Sequence, residues 1–215
     1  MSTSSERVLA ASLLARVLDP EPDTDVLAER ILDGALEQFR DHGLSRTTMD
    51  DVARRAELSR VTIYRRFQNK NALIEAVLLR ECRRCLDALD RAVAGFPGIQ
   101  ERTVEGYVFA LRYARDHPLV GGLLRVEPQV ILPFMTVHAE PALAAVRTFL
   151  AMHLRRARDA GELASAADVE PIAELMARIA TSFVISPYGC IPMRTDDEAR
   201  AFARRFLVPL IPRPA

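Results

Sequence analysis

At 215 residues, with 49% hydrophobic and 27% charged side chains, the chain is long enough to bury a core without disulfide or metal staples, which excludes disorder as its main state. Its 29 basic and 29 acidic residues cancel, so a polyanion partner must be met by a local patch and not by overall charge. Three Cys do not make a disulfide framework and fit a reducing compartment, and no apolar run approaches the roughly 20 residues that cross a bilayer, so a cytoplasmic protein without a membrane partner is expected.

In chain order, Val8, Leu9, Ser12, Leu13 and Arg16 have the spacing of a short amphipathic helix, ended by the X-Pro steps of Asp19-Pro20-Glu21-Pro22. Residues 1–22 are therefore expected to be an extension and linker. No proline lies between Asp23 and Phe96, whereas eleven of the 13 lie from Pro97 to Pro214, which predicts regular helices first and interrupted helices after. The next helix has Thr24 or Asp25 as N-cap, Leu32, Ala35, Leu36 and Phe39 at helical spacing, and Gly43 as a left-handed stop. Thr47 or Thr48, with Asp50 or Asp51 three residues on, spells a capping box for a short helix whose apolar face is Met49, Val52, Ala53 and Ala56. Ala56-Glu57-Leu58 makes a turn, Ser59 caps a new helix, and Ile63 with Phe67 forms its inward face. Two short helices around a three-residue turn are a helix-turn-helix.

Asn69 opens a longer helix that runs through Leu73, Val77, Leu78 and Leu86 toward Phe96-Pro97-Gly98. Further helices are expected over 104–116, 142–160 (stopped by Gly161), 169–185 and 196–208, the last with Thr195 and Glu198 as a capping box. Between Gly121 and Pro141 the run Val130-Ile131-Leu132 admits a strand, but Pro128 and Pro133 favour short broken helices and no second strand is available to pair with it. The fold class expected is all-α, with a helix-turn-helix domain at 23–70 and a larger helical domain at 71–215.

The basic residues are 28 Arg and one Lys, and six of them (Arg54, Arg55, Arg60, Arg65, Arg66, Lys70) fall between 54 and 70 beside a single acid, Glu57, a local balance of +5. At about 100° per residue, Ile63 and Phe67 point inward while Arg60, Val61, Tyr64 and Arg65 point outward, where a helix lying in the major groove meets base edges. Arg grips guanine O6 and N7 in two bonds, Val61 fits a thymine methyl, and the Tyr64 hydroxyl and Lys70 suit phosphates. Thr47, Thr48, Ser59 and Thr62 add hydroxyl or backbone donors at helix starts.

These residues carry a resemblance. Thr47-Thr48-Met49-Asp50-Asp51-Val52-Ala53, then Ala56-Glu57-Leu58-Ser59-Arg60-Val61-Thr62-Ile63-Tyr64-Arg65-Arg66-Phe67, then Lys70-Asn71-Ala72-Leu73, resembles the N-terminal signature of the tetracycline-repressor (TetR) family of bacterial regulators. The Thr-x-Tyr-x-x-Phe-x-x-Lys order is its most specific part. Glu57 stands where the family often has Gly, at a cost of about 1 to 2 kcal/mol if the backbone there is left-handed, and Val61 stands where Gly or Ala is frequent. Gly161-Glu162-Leu163 followed by Asp168-Val169-Glu170-Pro171 resembles the join between the family's last two long helices, which pair with those of a second subunit.

The resemblance implies a ligand-responsive repressor that binds a palindromic operator in double-stranded DNA as a homodimer and is released by an apolar small molecule bound among the middle helices. Candidates for that cavity are Phe109, Tyr113, Leu124 and Phe134, then Met135, His138, Met176 and Phe183, of which Tyr113 and His138 are the polar handles. Candidates for the dimer interface are Leu143, Val146 and Leu150 on one helix and Ile172, Leu175 and Ile179 on the next. An architectural DNA-binding protein without a ligand is the alternative, but it leaves over a hundred residues after the motif without a task. A small helical enzyme is less favoured: there is no Gly-rich phosphate loop, no Gly-x-Ser-x-Gly and no nucleophile beside a positioned base, so no catalytic residue and no cofactor is expected. Cys82-Arg83-Arg84-Cys85 has the Cys-x-x-Cys spacing but lies mid-helix without a second pair, so no metal is expected.

Overall fold

The computed structural model describes residues 26–214, and the expected helix before Pro20 lies outside them. Ten α-helices are found among the described residues: α1 (Val26–Arg46), α2 (Met49–Arg55), α3 (Arg60–Arg66), α4 (Lys70–Val93), α5 (Gly98–Asp116), α6 (Val120–Val126), α7 (Pro128–Met135), α8 (Glu140–Asp159), α9 (Val169–Ile185) and α10 (Asp196–Phe202). A π turn, Ala203–Leu207, and a 3-10 turn, Val208–Leu210, prolong α10. No described residue is in a strand, so the class is all-α. Val130-Ile131-Leu132 is helical in α7, with Pro128 at its first position, where the missing N–H costs nothing. Among the described residues no single helix is long and apolar enough to cross a membrane.

The chain divides into two compact units, and α4 runs from one into the other. The first holds residues up to Arg83 together with His117–Ala142. The broken helices α6 and α7, expected from sequence to go with the C-terminal domain, thus share a core with the helix-turn-helix. That core takes Ile31, Ala35 and Phe39 from α1, Val52 from α2, Ile63 from α3 and Leu73 and Val77 from α4, and it is completed by Leu119, Leu123 and Ile131. Each fully buried Ile, Leu or Phe contributes about 1.5–3 kcal/mol. Gly34 lets α1 approach α2: a Cβ there would stand 3.1 Å from the Ala56 Cβ.

The buried charged side chains Arg80 and Glu81 of this unit are paired. The Arg80 guanidinium reaches Glu29 at 3.1 Å and Asp33 at 2.8 Å on α1, and Glu81 at 3.3 Å. Glu81 meets His117 Nε2 at 3.2 Å, and His117 Nδ1 accepts from the amides of Leu119 and Val120, at 3.3 and 3.4 Å. With that nitrogen accepting, the ring's proton sits on Nε2, facing the carboxylate.

Among the described residues, the second unit holds 84–116 and 143–214. In it α8 and α9 are joined by apolar packing around Ala151, Leu154 and Ala173 and by the pairs Arg147–Glu174 (3.3 Å) and Arg155–Glu170. On its other side Tyr107 of α5 stacks on Phe202, with centroids 5.5 Å apart, while Arg200 and Arg204 grip Glu105 and Glu101 of α5 at 2.8 and 2.6 Å. The helix expected from residue 104 starts earlier, at Gly98, because the Ile99 amide donates to the Glu162 carboxylate at 2.6 Å.

Candidate nucleic-acid interface

Thr48, not Thr47, is the N-cap of α2. Its hydroxyl accepts from the Asp51 amide at 3.2 Å, and the Asp51 carboxylate accepts from the Thr48 amide at 3.0 Å and its hydroxyl at 2.6 Å. These bonds from Thr48 hold the Asp51 carboxyl below the usual range. Thr47 faces inward with 2% of its surface exposed, and its hydroxyl donates to the Gly43 carbonyl at 2.7 Å. This corrects its expected role: the Thr47 side chain anchors the turn and is not available to DNA. After α2, Glu57 has a φ of 54°, the left-handed conformation the turn requires.

Ser59 caps α3, accepting from the Thr62 amide at 3.1 Å, and the two hydroxyls bond each other at 2.8 Å. Ile63 is fully buried, which fixes the roll of α3 and leaves Val61 (69% exposed), Tyr64 (40% exposed), Arg60 and Arg65 outward. Arg60 lies over the Tyr64 ring, 5.4 Å from its centroid, and its guanidinium is held by Asp50 of α2. Lys70, the first residue of α4, donates to the Ser45 carbonyl at 3.3 Å, and partial burial lowers the pKa of its ammonium while Glu127 opposes that shift.

The local excess of +5 is divided by the fold. Arg55 does not stand with the exposed side chains of α3: it bonds Asp41 (2.8 Å), Gln38 (3.2 Å) and Glu37 (3.3 Å) on α1, and the Asp41 and Glu37 carboxylates raise its pKa. Arg54 stays exposed beside Asp51. Two side chains that sequence reasoning passed over, His42 and Arg46, line a hollow of about 390 Å³ together with Gln38 of α1 and Asp51, Arg54 and Arg55 of α2. The signal for them was the kink at Gly43, which turns the last residues of α1 toward the start of α2. A rigid, half-apolar helix with forked donors outward, flanked by donors at two helix starts, is the geometry of a major-groove reader.

The description "Bacterial regulatory proteins, tetR family" matches residues 31–77, and "Bacterial Tetracyclin repressor, C-terminal domain" matches residues 99–205. The chain belongs to the TetR family. An uncharacterized HTH-type transcriptional regulator of Mycobacterium tuberculosis strain H37Rv is 28% identical over 87% of each chain. The HTH-type transcriptional regulator AlkX of the same strain is 26% identical over 99% of this chain and 97% of its own. Among solved structures, the TetR family repressor AlkX of a Dietzia strain, implicated in n-alkane biodegradation, superposes with a TM-score of 0.67 at 24% identity, covering 85% of this chain and 94% of that one. RolR in complex with resorcinol has the same fold, with a TM-score of 0.64 at 14% identity over 87% and 88% of the two chains.

Within this TetR-family chain the cavity candidates fall into separate clusters. Phe109 and Tyr113 stack on α5 at 5.7 Å. Leu124, Phe134 and Met135 pack against the first unit's core, with exposed His138 tilted against Phe134 at 6.0 Å. Met176 is buried between α8 and α9, and Phe183 meets Phe202 edge-on at 4.9 Å. Of the dimer candidates, Leu150 and Ile172 pack against the α8–α9 core and Ile179 against the α5–α10 core; Leu143 and Val146 are half-buried, and Leu175 is 45% exposed. Burial pushes the Cys82 thiol up to about 11, which favours the protonated form at neutral pH.

Proposed function

We propose that the chain is a ligand-responsive repressor: two copies pair through α8 and α9, insert their α3 helices into successive major grooves of a palindromic operator, and let go when an apolar small molecule binds. The observation that carries the DNA part is the outward row of Arg60, Val61, Tyr64 and Arg65 on a helix whose roll is locked by Ile63. Arg60 and Arg65 read bases, Val61 offers a methyl-sized apolar contact, and Thr48, Lys70 and the exposed Arg54 hold phosphates. The two-fold pair must hold its recognition helices about 34 to 36 Å apart to bind both half-sites.

Effector control is supported by the match to the family's C-terminal domain and by the capacity of the same fold, in RolR, to hold a small aromatic ligand. An effector that prefers a state with another half-site spacing lowers operator affinity by its preference ratio, and tenfold release needs only about 1.4 kcal/mol of coupling. Selection of bound sequences from random duplexes, followed by an effector screen on the enriched duplex, tests the reading. A two-fold symmetric site released by an apolar compound is the expected result. A site without two-fold symmetry overturns the dimeric repressor, and an operator that no compound releases favours an architectural binder.

A further inference from the structure

The turn between α1 and α2 is held from outside the helix-turn-helix. Gly43 leaves helical geometry with φ 80° and ψ 169°, so the next two amides turn away from the carbonyls of α1. Both find the same oxygen: the amides of Leu44 and Ser45 donate to Glu127 Oε2 at 2.9 and 3.0 Å. Gly43 is favoured by its positive φ, and a Cβ on it, 2.5 Å from Glu127 Oε1, would push that carboxylate away from the turn. On the carbonyl side of the same short segment, Lys70 Nζ donates to Ser45 O at 3.3 Å. Three residues after Ser45 stands Thr48, the cap of α2.

Glu127 is also the joint of the broken helix pair. Its amide closes α6 on the Leu123 carbonyl at 2.8 Å, and its carbonyl opens α7, accepting from Val130 at 3.0 Å and Ile131 at 3.2 Å. Its own backbone, at φ −133° and ψ 52°, belongs to neither helix. The chain enters α6 from α5 and leaves α7 for α8, so this joint lies between two covalent passages into the second unit.

We infer that Glu127 is a positioning residue for operator binding: its carboxylate latches the α1–α2 turn and makes the placement of α2 and α3 depend on α6–α7. The inference rests on the effector-responsive reading above and names the contact through which that response travels. Bonds to a carboxylate are stronger than bonds between neutral groups, and because both amides share one oxygen they are lost together when the joint moves. A contact that is either made or broken gives a two-state element, which a gradual deformation of the core does not.

The test uses full-length protein, the duplex enriched by the wild type, and three variants. Glu127→Gln keeps reach and an acceptor oxygen; Glu127→Asp keeps charge but is one methylene short; Glu127→Ala removes both. Operator affinity is expected within threefold of wild type for Gln and at least tenfold weaker for Asp and Ala, with urea midpoints recorded for all. Hydrogen exchange gives the readout that a merely structural role does not move. In the wild type, operator binding slows exchange at Leu44 and Ser45 and also along 123–131, whereas in Glu127→Asp the slowing stops at the helix-turn-helix. Wild-type affinity in the Asp variant, or slowing that still reaches 123–131 in it, overturns the latch. If the exchange result holds while no compound alters wild-type operator affinity, the effector reading falls and the latch stands.

Discussion

Arg60 and Asp50 pair across the helix-turn-helix: Nη1 donates to Oδ2 at 3.2 Å, and Nε lies 3.1 Å from Oδ1. If Arg60 reads a base as proposed, it must first leave Asp50. Both side chains are more than half exposed, so the pair holds it by only about 0.2–1 kcal/mol. Asp50→Asn removes the competitor and a negative charge beside the phosphates. Its expected effect is tighter binding to operator and to unrelated duplexes alike, by roughly two- to fivefold. Fluorescence anisotropy at several salt concentrations measures this, and weaker operator binding by the variant shows instead that Asp50 orients Arg60 in the complex.

The division of the basic run gives a paired prediction. Arg65 is exposed on α3, whereas Arg55 is tied to Glu37, Gln38 and Asp41. Arg65→Ala is expected to cost about 1 to 3 kcal/mol of operator binding with little change in stability. Arg55→Ala is expected to lower the unfolding midpoint, because Asp41 keeps only Arg40 while Glu37 and Gln38 lose their partner on α2, and to cost less operator affinity than Arg65→Ala. Equal losses of DNA affinity in the two variants contradict the partition.

What the sequence disclosed was governed by range. The capping boxes of Thr48 with Asp51 and Thr195 with Glu198 are closed within four residues, so their spelling suffices. The early start of α5 was not legible, because the acceptor for Ile99 is Glu162, far along the chain. The outward face of α3 was legible from helical periodicity, since Ile63 is buried in the core and Phe67 packs against it. Removing Arg55 and Thr47 from that face needed the packing of α1 against α2, which brings Asp41 and the Gly43 carbonyl to them. The same limit hid Glu127, an acid in a proline-bounded segment whose partners are backbone amides and leave no trace in residue types.

Leu175 offers a test of the proposed pairing. On α9 it is 45% exposed, on a helix whose neighbouring apolar positions Ile172 and Ile179 are turned into cores. Burying such a side chain against a second copy stabilises by about 1.5–3 kcal/mol per chain, twice over at a two-fold interface. Leu175→Arg places like charges across the axis and is expected to give monomers by light scattering at micromolar concentration, with helicity retained. A wild-type mass for this variant moves the interface off the exposed edge of α9.

His153 gives the second unit a defined acid sensitivity. Its ring packs on Phe149 with centroids 4.5 Å apart, and its Nε2 lies 3.4 Å from the Asp90 carboxylate on α4. Burial lowers its pKa from the ordinary 6.5; Asp90 opposes the shift, while Arg156 and Arg102 add to it. The folded state thus prefers a neutral ring, and the unfolded chain takes up the proton first as pH falls through 6.5. In that window the unfolded state binds more protons, so stability falls with falling pH and levels off once pH is below the folded-state value. Urea midpoints of the full chain at pH 7.5 and 5.5 are expected to fall more in the wild type than in His153→Gln, which carries the same surrounding charges but no titrating ring. His42, His117 and His138 contribute equally to both proteins and drop out of the difference. Parallel losses in the two proteins are the result that removes His153 as the source.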